Sequence, residues 1–316
     1  MNWFLIAAIF AAVLGMYQFG YNTGNINAPE AEIKKFLRDV YYKKYNEVLS
    51  DESSQTYFSV IVSMFVVGGL FGSLSGGFIA DRFGRKRGIL YTQFFSILGA
   101  ILMGCSKTAE SYEMLIIGRL VIGLACGLFT GLSPLYVAEI APTHIRGAMG
   151  TVNQLAVTSG ILTSMILGPR TVLGGQNSWP TLLALTAVPA IIQCVILPFM
   201  PETPRYLILS KGNIEDGKRA LKKLRNTENV SSEIEELQNE EANQGSKESS
   251  FSMWELLTSS KLRLSLFVCI CLHLSQQLSG IVAIFYYSTS FFNAGGITGD
   301  NSQYGKKQNE LKVSFE

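Results

Sequence analysis

The chain has 316 residues, a net charge of +2, and a charged fraction of only 16% against a hydrophobic fraction of 48%. Soluble chains carry about 25% charged residues, and here the deficit is gathered into seven blocks, near 3–24, 57–79, 88–106, 113–137, 148–169, 179–200 and 264–292. Each is about the length that crosses a hydrocarbon core of ~30 Å, which excludes a soluble globular enzyme and predicts a polytopic helical membrane protein.

The first block is oily from Trp3 to Tyr17 and closes with QFGYNTGNIN at 18–27. Polar groups inside a span cost free energy unless they find partners. Gln18, Asn22 and Thr23 therefore read as the external mouth of a polar path, with Gly15, Gly20 and Gly24 letting the helix flex. For Asn25 and Asn27 a frayed helix end fits equally well. No Lys or Arg precedes the apolar core and the block runs long, so it does not read as a signal peptide. Residues 25–56 form a polar loop with a basic, helix-compatible stretch from Ala31 to Tyr45.

Block two carries Gly68, Gly72 and Gly76 on one stripe, and block four carries Gly123, Gly127 and Gly131. Small residues at i, i+4 let helix backbones approach closely in lipid. The spacing alone favours static packing over a sliding interface. The turn GGFIADRFGRKRG follows block two: Gly84 permits a tight bend, Asp81 can accept hydrogen bonds at a helix end, and Arg82, Arg85 and Lys86 anchor the turn at the interface. The segment 201–262 opens with PETPRYL and continues as charged amphipathic helix, in which Glu215 stands four residues before Arg219, a favourable ion-pair order. All five cysteines fall in or at the edge of apolar blocks, and His144 and His273 are isolated. They predict no disulfide framework, metal site or cofactor, and no nucleophile–base pair suggests an enzyme.

Basic residues are distributed unevenly between alternate loops. The turn after block two, Arg146, and the segment after block six hold fifteen Lys and Arg; the other loops hold seven, five of them in 25–56 beside six acids. The positive-inside rule then places the N-terminus and 201–262 in the cytosol and the residues after block seven outside. A cytosolic N-terminus argues against a seven-span receptor.

The string G-x-x-x-D-R-x-G-R-K at 77–86 resembles the signature between spans 2 and 3 of the major facilitator superfamily. Gly118-Arg119, YVAEIAPTHIRG at 136–147, PETPR at 201–205 and QQLSGIVAIFYYST at 276–289 narrow the resemblance to its sugar porter family. With QFGYNTG they look like the animal facilitative glucose transporters. The resemblance implies an all-α membrane protein with the major facilitator fold. It divides the chain into an N-terminal six-helix bundle (1–200), a cytosolic helical linker (201–262), the seventh transmembrane helix (263–293) as the first helix of the C-terminal bundle, and a polar, extracellular tail (294–316). One copy of the superfamily signature is present where the family has two, so the chain is expected to be an incomplete form.

The same resemblance implies a multi-pass plasma-membrane protein that carries a hexose, D-glucose in the first instance, by uniport and alternating access. The expected partners are hexose, the lipid bilayer, and an oligomer or full-length transporter; no nucleic acid or cofactor is expected. A non-transporting product that associates with a full-length transporter is the alternative. The substrate-binding positions implied are Gln154, Gln276, Gln277, Ile161, Thr23 and Tyr286. Amides suit a hexose, offering two donors and an acceptor on a neutral group, although a lone Gln in a span is otherwise helix–helix glue. The gating and structural positions implied are Asp81, Arg82, Gly84, Arg85, Arg119, Glu139, Arg146, Glu202 and Arg205. Two departures matter. Asn22 stands where proton-coupled relatives carry an acid, and Val282 stands where the family has a sugar-contacting asparagine, which puts affinity or sugar choice in question.

Overall fold

The computed structural model describes residues 2–244, 263–280 and 295. Helix α1 spans Trp3–Gly24 and starts at Asn2, whose side chain accepts from the Phe4 amide. Helix α2, Glu30–Tyr45, has Glu30 and Glu32 in its first turn and Lys43 and Lys44 in its last, an arrangement that complements the helix dipole. Asn46 ends it in the left-handed region at φ 56°. Helix α3 runs Asp51–Phe83 and is capped by Ser50, α4 runs Arg85–Cys105, and α5 runs Tyr112–Ile140. Helix α6 is Arg146–Leu167.

Block six is not one continuous helix. It forms α7, Trp179–Ala184, and α8, Ala187–Ile196, followed by a 3₁₀ turn over Leu197–Phe199. Pro189 has no N–H to give to Leu185 and its ring crowds that carbonyl, so the chain tightens there and the Val188 amide bonds to Leu185 O instead. In the linker, α9 spans Ile214–Arg225 and α10 spans Ser231–Gln244. Arg219 pairs with Asp216 at 3.3 Å, not with Glu215, because Asp216 lies nearer on the exposed face. Helix α11, Arg263–Leu278, covers the start of block seven and none of its residues is buried.

Among the described residues, five segments are long and apolar enough to cross a membrane: α1, α3, α4, α5 and Trp179–Phe199. Helix α6 is 22 residues long but is diluted by Asn153, Gln154 and five serines and threonines. The last twelve residues of the span expected at 264–292 lie outside the described residues.

The bundle is held by close backbone approach. A Cβ on Gly68 or Gly72 would run into the carbonyls of Leu120 and Leu124, and one on Gly123 or Gly127 into those of Phe65 and Gly69. This is the packing reading of the α3 and α5 glycines, although Gly77 and Gly131 face open space. The α1 glycines are likewise contact points, where they were expected to let the helix flex. Gly20 abuts the Val157 backbone of α6, Gly24 meets Ser164, and Gly15 meets Phe129.

Two apolar clusters fill the bundle. One, around Leu128, Phe129, Leu132, Tyr136 and Ile140, runs toward the linker end. The other lies at the opposite end, where Ile33, Phe36, Leu37 and Val40 of α2 pack with Phe58, Ile61, Phe65 and Trp179. Lys34, Arg38, Lys43 and Lys44 of α2 form ion pairs with Glu30, Asp51, Glu110 and Glu113, and Arg170 pairs with Glu32. The loop at 25–56 is therefore an ordered cap on the bundle.

Candidate functional site

The polar end of α1 turns inward. Gln18, Asn22 and Asn25 are fully buried, so they line no open mouth. Gln18 Nε2 lies 3.4 Å from both Gln93 Oε1 and Gln193 Oε1, Gln93 donates to Gln193, and Ser96 donates to Gln18. Gln193 Nε2 donates to Ala11 O at 2.7 Å, and Asn22 Nδ2 donates to Gln18 O at 2.8 Å and Thr186 Oγ1 at 2.7 Å. Helix α1, helix α4 and block six each contribute neutral groups that the others satisfy, which is how buried amides become tolerable. Gln93 and Gln193 escaped the sequence reading. Their signal was present, since each is an isolated amide in an apolar block and needs a partner there.

Arg119 is fully buried on α5. Its Nη1 donates to Asn22 O at 3.0 Å and its guanidinium lies 4.5 Å from the Phe65 ring centroid. A carbonyl and an aromatic face, both favourable to a cation, thus receive it. Thr23 is half-buried and donates back to Phe19 O at 2.9 Å, within its own helix.

Helix α6 presents Gln154 and Thr158 on an unburied stripe, with Ile161 half-buried one turn further on. Thr158 donates to Gln154 O at 3.0 Å, but the Gln154 side-chain amide makes no hydrogen bond among the described residues. Gln276 and Gln277 are exposed near the end of α11, and no hydrogen bond joins them to Gln154. Tyr286 and Val282 lie outside the described residues. Among the described residues, the structure therefore does not bring the implied substrate residues into one site.

Eight of the nine gating positions gather at the linker end, and Arg119 stands apart beside Asn22. Gly84 joins α3 to α4 at φ 91° and ψ 165°, a conformation open in practice to glycine alone. A Cβ there would also stand 2.5 Å from Glu202 Oε2 and 2.7 Å from Tyr206. Glu202 Oε1 accepts from the Lys86 amide at 2.9 Å and the Thr203 amide at 3.1 Å, so PETPR caps the start of α4. Burial nevertheless pushes the Glu202 carboxyl above its ordinary range, and those amides and the Lys86 charge only partly oppose the shift.

Arg85 bonds Glu139 Oε1 through Nε at 3.1 Å and Nη2 at 3.0 Å, reaches Ala80 O at 3.2 Å, and lies over the Tyr206 ring. Asp81 is 3.7 Å from Arg85 and mostly exposed, a marginal pair. Arg82 contributes its carbonyl, which accepts from Tyr206 Oη at 3.4 Å. Arg146 is exposed at the rim of a cavity of about 390 Å³, where Arg205, Arg225, Glu139 and Glu233 also stand. Arg225 binds Glu233 at 2.9 Å and donates to Ile140 O at 2.8 Å, fixing α9 to the end of α5.

These features belong to a helical bundle whose spans bury neutral amides and leave one amide, Gln154, on an open face. The profile of the family "Sugar (and other) transporter" matches residues 7–305. The chain is 45% identical to the chicken solute carrier family 2, facilitated glucose transporter member 1 over 293 residues, 93% of this chain and 60% of that protein. It is 46% identical to human facilitated glucose transporter member 3 over the same 93% of the chain and 59% of the relative. The chain thus spans about 60% of the length of these curated relatives. In fold it resembles the proton:xylose symporter XylE bound to 6-bromo-6-deoxy-D-glucose, with a TM-score of 0.79 at 22% identity over 95% of this chain and 65% of that one. The partially occluded inward-open form of XylE from E. coli gives a TM-score of 0.75, covering 68% of that chain. The chain belongs to the sugar transporter family. It is a multi-pass membrane protein with a major facilitator fold, not an enzyme.

Proposed function

We propose that the chain supplies the first half of a facilitative hexose uniporter. One observation carries this: α6 shows an unspent amide, Gln154, on an exposed face that has no charge beyond Arg146. An amide without partners is costly in lipid, so the face suits an aqueous cavity against a second bundle, where a neutral polyol would be held by a few weak hydrogen bonds. Millimolar binding needs only about −4 kcal/mol. Glucose is the favoured substrate because the relatives at 45% and 46% identity are named as facilitated glucose transporters. Gln276, Gln277 and Tyr286 would form the opposing wall, and Gly84, Arg85, Glu139, Glu202 and Arg205 the latch that holds one conformation. Asn22 supports uniport, since an amide cannot take up and release a proton.

The linker end is read as cytosolic, with the domain boundaries given above. Tags at the N-terminus and after residue 295, read on intact cells, test that topology; a surface-accessible N-terminus overturns it. The transport reading is tested in a chimera completed with a relative's second half. Gln154→Ala should weaken glucose binding about two- to tenfold, the worth of one net hydrogen bond, while uptake stays indifferent to a pH gradient. Unchanged affinity returns Gln154 to helix packing, and sugar-driven proton uptake overturns uniport. The second reading, association with a full-length transporter, is favoured by α11, which buries none of its own residues. It predicts that a polypeptide of residues 1–316 reconstituted alone admits labelled glucose no faster than empty liposomes.

A further inference from the structure

Among the described residues, Lys34, Arg38, Lys43 and Lys44 of α2 pair with acids, as do Arg85, Arg219, Lys222 and Arg225 at the linker end. Three cations without such a pair stand together. Lys86, Arg87 and Lys211 line one groove of about 430 Å³ between the start of α4 and the linker, and none forms an ion pair among the described residues. Lys223 is close enough to repel Lys86 and adds to the positive field. The one acid on the groove wall, Glu202, is turned to the backbone amides of Lys86 and Thr203. Lys86 Nζ gives one proton to Pro198 O at 2.7 Å and keeps two, while Lys211 lies 5.8 Å from the centre of the Tyr206 ring. Arg87 is exposed with its whole donor fork unspent. Such a fork matches the two oxygens of a phosphate.

The surroundings say which phosphate. One turn along α4 from Arg87, Tyr91 is 55% exposed and stacks edge-on with Phe83, 41% exposed, at 5.5 Å. Phe94, 66% exposed, continues the same apolar helix. A tyrosine at the end of an apolar helix face marks the boundary between headgroups and acyl chains. The groove therefore opens beside a surface that an acyl chain could follow, which a soluble anion would not use.

We infer that the groove of Lys86, Arg87 and Lys211 binds the phosphate headgroup of an anionic phospholipid. The assignment rests on the reading above that this end faces the cytosol, the leaflet that carries anionic lipid. A bound headgroup would bridge α4 and the linker across the Gly84 turn, so lipid composition would bear on how firmly the latch is held.

The test uses the full 316-residue chain, purified in neutral detergent, with lipid retention read by native mass spectrometry. Dioleoyl phosphatidic acid should be retained in preference to dioleoyl phosphatidylcholine. Each groove cation is worth roughly fivefold in affinity at a membrane surface, so Arg87→Gln with Lys211→Gln should weaken retention about twentyfivefold. Arg87→Lys with Lys211→Arg should restore most of it, and Lys43→Gln at the opposite end should leave it unchanged. Equal retention of the two lipids, or no loss in the double variant with its elution profile intact, overturns the proposal. Displacement by millimolar inorganic phosphate would assign the groove to a soluble anion and overturn the lipid reading. The measurement needs no sugar, so its failure leaves the transport reading untouched.

Discussion

Gly84→Ala is the most demanding single change the latch offers. The residue sits at φ 91° and ψ 165°, a region that costs a side-chain-bearing residue about 1–3 kcal/mol. The new methyl would stand 2.5 Å from Glu202 Oε2 and 2.7 Å from Tyr206 Cε1, so both side chains must retreat by the better part of an ångström. Glu202 cannot retreat without stretching its bonds to the Lys86 and Thr203 amides, each worth about 0.5–1.5 kcal/mol. The sum is about 2–6 kcal/mol. Gly77→Ala provides the reference, because a Cβ there meets nothing within 4 Å. The assay is thermal unfolding in detergent followed by fluorescence-detected size exclusion, with both variants measured beside the parent. Gly84→Ala should lower the midpoint markedly while Gly77→Ala leaves it in place. Adding Glu202→Ser to Gly84→Ala should relieve the clash but not the backbone strain, recovering only part of the loss. If the two glycine variants unfold together, the argument that this turn requires glycine is wrong.

Two further outcomes follow from the same geometry. Gln193→Ala takes the Gln193 donor from Ala11 O and leaves Gln18 and Gln93 short of an acceptor, at about 1–3 kcal/mol. Replacing all three glutamines with leucine should cost less per site, and equal per-site losses in the thermal assay would refute the network. Burial holds the Glu202 pKa above its unfolded value near ~4.3. Its stabilising contribution is then fullest below that unfolded value and is lost as pH rises through the folded one. Glu202→Gln, always neutral, should gain on the parent in thermal midpoint as pH rises from about 4 to about 7; a constant gap between them would count against the shift.

The spans, the tight turn and the close-packed glycines were legible because each rests on local chemistry: an uncharged stretch of fixed length, a residue without a Cβ, small residues one turn apart. Arg85 and Glu139 could be named from their motifs, but the packing of Arg85 on Tyr206 depends on a linker that returns to the bundle more than a hundred residues later. The amides were misread for a different reason. Gln18 and Asn22 give the same sequence signal whether they face water or each other, and only the positions of Gln93, Gln193 and Thr186 decide for the interior. The interruption in block six was carried by Pro189 and overlooked because the block is uniformly apolar. Where Gln154 points was beyond the sequence altogether, since a helix side is known to be open only when the rest of the bundle has been placed.

Three of the bonds that fasten the linker to the bundle go to main-chain carbonyls: Tyr136 Oη bonds Pro201 O, Arg225 Nη1 bonds Ile140 O, and Asn2 Nδ2 bonds Lys223 O, each at 2.8 Å. A carbonyl is present whatever residue supplies it. The attachment at 201 and 223 would therefore survive most replacements in the linker's outward-facing side chains, provided Leu221 and Leu224 keep their buried places. That gives natural variation room to rewrite the exterior of this segment without unfastening it from the bundle it serves.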